Sequence, residues 1–368
     1  MTVKLLFLNG VAIIFAVYHH AIYWAVTAIF HWNDRFVSNI NSQTLLTANP
    51  TSLFLRITDE IAGVAVPIFL FVSGYFYAFS TNQKPFKQNI QTIYNRLIYL
   101  IPPYLFWSTI TVFFRILEGN DYTPGKLVRV YLMGEADGPF YYVPLIIKLI
   151  LLSPLLIRML NKTPYIVLGG SFLLQFLSSI FWYFSTMNLS VPEWLSNFAF
   201  LKNGYLASHL FWFVLGMLIF IKRDGLLKVI RRYRFILVSI LLFFIVLSQI
   251  EIQYLMNLSQ KNWINSQASF ITKLVYSLFI LAVIGFIDNL KTSPNIQFIG
   301  TKSYGIYLSH ILVIEICARL IYHVIPFLLG QTLFFLGILV VVGIGTPLVM
   351  MSIWNRFPIK QFYSYVWG

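Results

Sequence analysis

Residues 5–30 read LLFLNGVAIIFAVYHHAIYWAVTAIF, a run of 26 positions without Lys, Arg, Asp or Glu. A helix needs about 20 apolar residues to cross the hydrocarbon core of a bilayer, so this stretch is long enough to span it. It contains three strongly polar side chains, those of Asn9, His19 and His20. Lipid disfavours such groups unless they face protein or water, so we expect the other helices to enclose them in a cavity.

The whole chain has the composition of an integral membrane protein. Of its 368 residues, 58% are hydrophobic and 10% are charged, and the mean hydropathy is +0.76. Soluble domains carry about 25% charged residues, which excludes that class. Long unbroken apolar runs are typical of helices and not of the alternating strands of a membrane barrel. We therefore predict an all-α, multi-pass protein of the inner or plasma membrane, with a single domain over residues 1–368.

Ten segments are apolar enough to be predicted as spans. They lie near residues 5–30, 60–81, 97–117, 139–158, 164–187, 205–222, 235–255, 268–290, 303–325 and 332–354. Sixteen of the 26 Lys and Arg residues fall at the N-terminus and in the even-numbered turns, against seven in the opposite loops. The positive-inside rule then places both termini in the cytoplasm. This topology explains the net charge of +14 without a nucleic-acid partner.

Four segments in order carry a family resemblance, although short strings of Phe, Leu and Tyr are common in membrane helices. They are VPIFLFVSGYFYAF (Val66–Phe79), RLIYLIPPYLFWS (Arg96–Ser108), FYYVPLIIKLILLSPLL (Phe140–Leu156) and FIGTKSYGIYLSHILV (Phe298–Val313). Together with the first helix, this ordered set resembles the acyltransferase-3 family of membrane O-acyltransferases over nearly the whole chain.

The resemblance implies a reaction. Members of this family transfer an acyl group, commonly acetyl or succinyl, from a cytoplasmic thioester to a hydroxyl on an extracytoplasmic glycan or glycolipid. The implied donor is acetyl- or succinyl-coenzyme A, used as a substrate, with no permanently bound cofactor. The first helix of the family usually has an Arg, ten intervening residues and a catalytic His. Here the His is His20, and Asn9 occupies the Arg position.

The implied reaction needs a base, because a sugar hydroxyl is a weak nucleophile and must lose its proton as it attacks the thioester. Imidazole titrates near neutral pH, so His20 is the predicted base and His19 the second candidate. Adjacent helical positions point about 100° apart, so the two rings are not expected to serve one cavity face equally. We expect His310 to lie about 10 Å from Ser303 and His20 about 22 Å from Leu5, at different membrane levels.

Other polar side chains are candidates for binding the two substrates. Arg96 is predicted either to hold the donor phosphates or to act as a topology residue alone, and Lys148 to hold the donor. Asn9 and Ser73 are predicted to line its path, although the pair Ser73-Gly74 also suits close helix packing. Lys148 lies within a span, where a charge is costly unless it functions or snorkels to the interface.

Four further assignments concern the acceptor side of the site and its surroundings. His310 is either a helix-packing residue or a contact to the substrate or oxyanion, and Tyr141 and Tyr142 either stack on sugars or belong to an interfacial aromatic belt. We expect Glu315 to pair with Arg319 four residues later on its helix, and Arg115 to snorkel. No third ligand stands at metal-like spacing from the His pair, so we predict no metal.

Two other functions are compatible with the same sequence. A transporter of a glycan or lipid-linked intermediate would also use a cavity with histidines and buried charges. Against it, the sequence shows no internal repeat and no pair of corresponding broken helices. A non-catalytic scaffold in a polysaccharide machine would leave His20 dispensable. Membrane lipids are expected partners of either class, and a homodimer is compatible with the sequence.

Overall fold

A computed structural model describes residues 2–32, 50–82, 85–187, 189–190, 205–260, 263–264, 269–356 and 358–368. These residues form helices, turns and irregular connections, with no strand among them. The α-helices are α1 (Thr2–His31), α2 (Pro50–Ala62), α3 (Ala65–Thr81), α4 (Phe86–Leu117), α5 (Pro124–Met133), α6 (Tyr142–Lys162), α7 (Pro164–Thr186), α8 (Tyr205–Ile221), α9 (Arg223–Arg232), α10 (Arg234–Ser259), α11 (Phe270–Gly285), α12 (Pro294–Thr301), α13 (Ser303–Val324), α14 (Thr332–Trp354) and α15 (Tyr363–Val366). Short 3₁₀ helices cover Gly138–Tyr141, Pro326–Gly330 and Pro358–Phe362.

The predicted helical, multi-pass architecture is confirmed. Within the described residues, eight helical segments are long and apolar enough to cross a membrane, counting α2 and α3 as one segment over Pro50–Thr81. Two shorter apolar helices, Leu206–Ile221 and Phe270–Gly285, fall where the sixth and eighth spans were predicted. Ten spans and cytoplasmic termini therefore stay predictions.

One helix begins earlier than its predicted span. The sequence predicted a span over 97–117, but α4 already begins at Phe86 and places Arg96 inside the helix. The same helix runs through Pro102 and Pro103 without ending. Membrane helices tolerate internal proline where neighbouring groups satisfy the freed backbone carbonyls.

The described chain divides into two compact units, each built from separate stretches of sequence. The first unit comprises residues 1–8, 56–93 and 145–293. In it α3 packs closely on α8, because a Cβ added to Gly74 would lie 2.1 Å from the backbone oxygen of Phe213. Gly216 of α8 shows the reciprocal contact, 2.0 Å from the oxygen of Phe71. The predicted packing role of the Ser73-Gly74 pair is thus confirmed for its glycine.

The second unit comprises residues 9–55, 94–144 and 294–368. Its α14 lies close to two other helices, since a Cβ on Gly343 would contact Val17 of α1 and Ile314 of α13 at 2.8–2.9 Å. Helix α5 begins with a Thr123 cap and ends at Gly134, whose φ of 77° is left-handed. Glycine adopts that conformation without the steric cost of a side chain, and the chain can turn there into the 3₁₀ helix.

Candidate functional site

Three histidines of the second unit lie together. The ring of His20 on α1 is 5.1 Å from that of His19 and 5.3 Å from that of His310 on α13, measured between centroids. His310 is fully buried, whereas His19 and His20 are partly exposed. The expectation that His20 and His310 occupy different levels was therefore wrong.

The reason lies in where the two helices begin. A Cβ on Gly10 of α1 would lie 2.0 Å from the backbone oxygen of Ile296, which precedes the first residue of α13 by seven positions. Helix α1 has therefore already risen several residues before α13 begins at Ser303. At about 1.5 Å per residue, His20 lies about 15 Å beyond Gly10 and His310 about 10 Å beyond Ser303, so this offset reduces the difference in level that the span ends suggested. Counting both depths from the predicted span ends could not detect this offset.

The hydrogen bonds of His310 define its protonation pattern. Its Nδ1 lies 2.7 Å from the carbonyl oxygen of Tyr307 and 3.1 Å from that of Ile306. Because a carbonyl oxygen only accepts, Nδ1 carries the proton and donates it. Nε2 then bears the lone pair of the neutral ring, and it is buried without a hydrogen-bond partner among the described residues. A neutral His310 in this tautomer has an acceptor, and no remaining N–H donor, to offer a neighbour.

The tyrosine one turn before His310 is held in place from two sides. The buried Tyr307 hydroxyl donates to the carbonyl oxygen of Pro139, in the 3₁₀ helix that follows α5. Its ring lies 5.8 Å from that of His310 and 5.2 Å from that of Tyr142. This packing helps fix the backbone carbonyl that accepts from His310.

A charged network lies farther along α13. Arg115 of α4 makes two parallel hydrogen bonds of 2.8 Å to the carboxylate of Glu315, which is 6% exposed. The same guanidinium contacts Asp137 at 2.6 Å and Glu118 at 2.9 Å. The prediction that Arg115 snorkels did not include these three carboxylates, which give its guanidinium charged hydrogen-bond partners within the protein.

The predicted pair between Glu315 and Arg319 is confirmed, at 2.6 Å. Arg319 also contacts Glu118 at 2.9 Å and lies over the ring of Trp24, 6.0 Å from its centroid. Trp24 lies one turn after His20 on α1, and Glu315 and Arg319 lie after His310 on α13. Charged and aromatic side chains therefore lie on the C-terminal side of the histidines on both helices. Trp24, Trp32 and Tyr322 continue as a row of rings with centroids 4.8–5.3 Å apart.

The other predicted site residues of this unit differ in their burial and contacts. Asn9 lies eleven residues before His20, and its buried Oδ1 has no hydrogen-bond partner among the described residues. Tyr142 is buried against Tyr307, while Tyr141 and Arg96 are partly exposed. Of the predicted set, the structure brings together the three histidines.

Two predicted donor residues belong to the first unit. Ser73 is partly exposed on α3, beside the packed Gly74. Lys148 is exposed on α6. Their proposed contacts with a donor stay predictions.

Sequence reasoning missed the roles of Tyr307, Asp137 and Glu118. A partial signal was available, because Arg115 and Glu315 are opposite charges in two different predicted spans and each is costly to leave unpaired. Nothing in the sequence indicated that the loop carboxylates would reach the same guanidinium. Over the described residues, no group of three His, Cys, Asp or Glu side chains is arranged to hold a metal ion.

Comparison with known proteins agrees with this architecture. A family model described as an acyltransferase domain, Acyl_transf_3, matches residues 5–350. No curated protein and no solved structure matches the chain. The match covers both units and includes the helices that carry the three histidines. The chain therefore belongs to the acyltransferase-3 family and is a multi-pass membrane acyltransferase.

Proposed function

We propose that this protein is an O-acyltransferase of the inner or plasma membrane. It moves an acetyl or succinyl group from cytoplasmic acyl-coenzyme A to a hydroxyl of an extracytoplasmic glycan or glycolipid. The observation that carries this proposal is the 5.3 Å approach of His20 to a buried histidine whose lone pair is left free by its own backbone hydrogen bonds. Paired neutral imidazoles provide a base together with a group that orients it.

In the proposed reaction His20 is the catalytic residue. One ring nitrogen removes the proton of the acceptor hydroxyl as its oxygen attacks the thioester carbonyl carbon. The tetrahedral intermediate then collapses, the carbon–sulfur bond breaks, and the imidazolium returns the proton to the leaving thiolate. The products are an ester on the glycan and free coenzyme A, so the enzyme ends in its starting protonation state.

His310 is a positioning residue in this scheme. Its Nε2 lone pair accepts the second N–H of His20, which holds that ring in one tautomer and stabilises the imidazolium formed in the reaction. An oxyanion contact is the less suitable role, because neutral His310 has already committed its N–H to the backbone.

The donor path is proposed to run along α1. The pantetheine arm of coenzyme A contains amide N–H groups, and the unpaired Oδ1 of Asn9 is an acceptor for one of them. Arg96, Lys148 and Ser73 are retained as proposed donor contacts, with the two cations suited to phosphate groups.

The acceptor side is proposed to lie beyond Trp24 and Arg319. Aromatic faces and partly exposed charged groups are suited to sugar rings and hydroxyls, and Tyr141 and Tyr142 are proposed to contribute there. The predicted topology places this end of α1 and α13 on the extracytoplasmic side.

Reconstituted vesicles test the function directly. Purified protein is inserted into liposomes, acyl-labelled coenzyme A is supplied on the cytoplasmic side, and a glycan is supplied on the other. We expect an alkali-labile acyl ester on the glycan and release of free thiol, and neither in protein-free liposomes. Movement of unmodified glycan across the membrane without ester formation would overturn the proposal in favour of a transporter. A lack of both would favour a scaffold.

A further inference from the structure

The first unit contains a cavity that the proposed reaction does not use. It is partly open to solvent, and its volume of about 370 Å³ includes the open space at its mouth, so that the enclosed part is small. Its walls include Trp182, Ser208, His209, Trp212, Lys273 and Tyr276. All described lining residues belong to the first unit, so the cavity is defined without reference to the histidines of the second. Small-molecule sites are concave, mostly apolar and supplied with a few polar groups, as this one is.

The polar centre of the cavity is a buried lysine. Lys273 is 5% exposed, and its Nζ donates a hydrogen bond of 2.8 Å to the neutral Oγ of Ser179. An ammonium has three N–H donors and seeks anionic partners when removed from water. No carboxylate of the described residues lies within ion-pair distance of it.

The carboxylate that interacts with Lys273 by charge forms its hydrogen bonds with other groups. Glu251 interacts electrostatically with Lys273, but its oxygens accept hydrogen bonds from the Ser269 hydroxyl and from the backbone N–H groups of Phe270 and Ile271. These are the first residues of α11, where a carboxylate is stabilised by unpaired N–H groups and the helix dipole. The ammonium therefore retains donors for a ligand, and the nearby negative charge favours a ligand with one negative charge over a doubly charged phosphate.

Aromatic rings provide the other walls. The Trp212 indole donates to Ser277 at 3.1 Å, and its ring lies 5.4 Å from that of His209 and 6.3 Å from that of Tyr276. Trp182 is 38% exposed, so part of its ring is available at the opening. Flat apolar faces of this kind pack against the C–H faces of sugar rings, while the polar groups fix orientation.

The cavity lies at one end of the helices that form it. Ser208, His209 and Lys273 stand in the first turns of α8 and α11, and Trp182 stands in the last turn of α7. The basic helix α9 follows the opposite end of α8. By the predicted topology the cavity end is extracytoplasmic, the side on which a glycan is present.

We propose that this cavity binds a sugar that carries a carboxylate, with the carboxylate on Lys273 and the sugar ring against Trp182. The proposal rests on the proposed function in one respect, since it takes this acidic sugar for a component of the acyl acceptor. Binding itself does not depend on acyl transfer, and the two are therefore tested separately.

The test compares two sugars that differ in a single group. Equilibrium binding of methyl glucuronide and of methyl glucoside is measured on the full-length protein in lipid nanodiscs. We expect the glucuronide to bind at least tenfold more tightly, and we expect Lys273→Met to remove this difference. Lys162→Met, which alters an exposed lysine of the same unit, is the matched control and should retain it. Equal affinities for the two sugars, or an unchanged preference in Lys273→Met, would overturn the proposal.

A second variant covers the case in which Lys273→Met does not fold. Trp182→Ala removes a partly exposed ring and should weaken the binding of both sugars at least threefold, and an unchanged affinity would count against the site. If anionic lipid displaced the bound glucuronide, and the cavity bound glucuronide and glucoside equally, the cavity would be a site for a lipid headgroup. This result would refute the proposal of a sugar site.

The same measurements separate this proposal from the acyl transfer. His20→Ala should leave glucuronide binding unchanged while it slows transfer at least 100-fold. Selective binding without any transfer by the native protein would refute the proposed function alone. Transfer without selective binding would refute the cavity proposal alone.

Discussion

His310 has its Nδ1 proton committed to the backbone carbonyl of Tyr307, and this one hydrogen bond determines what its other nitrogen can do. The lone pair on Nε2 can accept a proton donor, and the ring of His20 is the neighbouring imidazole. The chemistry of the pair depends on a tautomer that is set by the local geometry of α13.

Replacement of His310 should therefore affect rate and not affinity. We expect His310→Ala to lower kcat about 10- to 100-fold with KM for both substrates unchanged, since in the proposed reaction the group acts through His20 and contacts neither substrate. Steady-state kinetics on purified protein measure both constants. His323→Ala, which alters an exposed histidine on the same helix, is the matched control and should leave kcat unchanged. A rise in KM without a change in kcat would show that His310 binds substrate instead.

Asn9 is expected to show the opposite pattern. Loss of one hydrogen bond costs about 0.5–1.5 kcal/mol, so Asn9→Ala should raise KM for acyl-coenzyme A about 2- to 12-fold with kcat retained. A short acetyl thioester that lacks the pantetheine amides provides the control, because it has no N–H group for Asn9 to accept. If the variant lost affinity equally for both donors, the proposed contact would be wrong.

At the scale of helices, backbone contact through glycine holds α3 against α8. Gly74 and Gly216 each approach the carbonyl oxygen of a residue on the other helix so closely that a methyl group would overlap it. Neither oxygen belongs to a flexible side chain, so the helices themselves would have to separate. Lipid supplies little hydrophobic force between helices, and such close packing is a main source of their association.

Gly74→Ala should accordingly destabilise the protein by about 1–3 kcal/mol, the usual cost of overpacking. Thermal unfolding in detergent measures the effect as a lower Tm. Gly169→Ala on α7 is the matched control, since nothing lies within 4 Å of the added methyl group and alanine is the better helix former. An unchanged Tm in Gly74→Ala together with a lower one in Gly169→Ala would contradict the packing described.

Helices α4 and α13 are joined by an ion pair, in contrast to the glycine contact between α3 and α8. Arg115 engages Glu315 with two parallel hydrogen bonds and gains two further carboxylates from the segments that follow α4. Such a group is poorly suited to a lipid-facing position, and the network places four of the unit's charged residues where each has a partner.

The sequence was sufficient to predict the helices, but it was not sufficient to predict how they are offset along one another. Hydrophobic runs located the helices, because helix formation and lipid exposure depend on residues close together in the chain, and four ordered motifs identified the family. The contact between His20 and His310 depends on Gly10 meeting Ile296, which are 286 positions apart. Glu118 and Asp137, two of the three carboxylates that contact Arg115, likewise lie in connections between helices, which have no periodic signal. These features arise from tertiary packing and required the structure.

For the molecule as a whole, the distribution of basic residues predicts both termini in the cytoplasm. Single cysteines can test this in a Cys317→Ser background, since Cys317 is the only native cysteine. We expect Val128→Cys, exposed on α5, to react with a membrane-impermeant maleimide in intact cells. Lys228→Cys, exposed on α9, should react only after permeabilisation. The reverse pattern would invert the topology and with it the assignment of donor and acceptor sides.

The role of His20 is the central claim, and one activity measurement tests it most directly. Purified native protein and His20→Ala are compared for transfer of labelled acetyl or succinyl groups from coenzyme A to glycan, with folding checked by Tm. General base catalysis contributes about 10²- to 10⁴-fold, so we predict a loss of at least 100-fold in kcat for a variant that remains folded. Transfer by folded His20→Ala at the native rate would contradict the account.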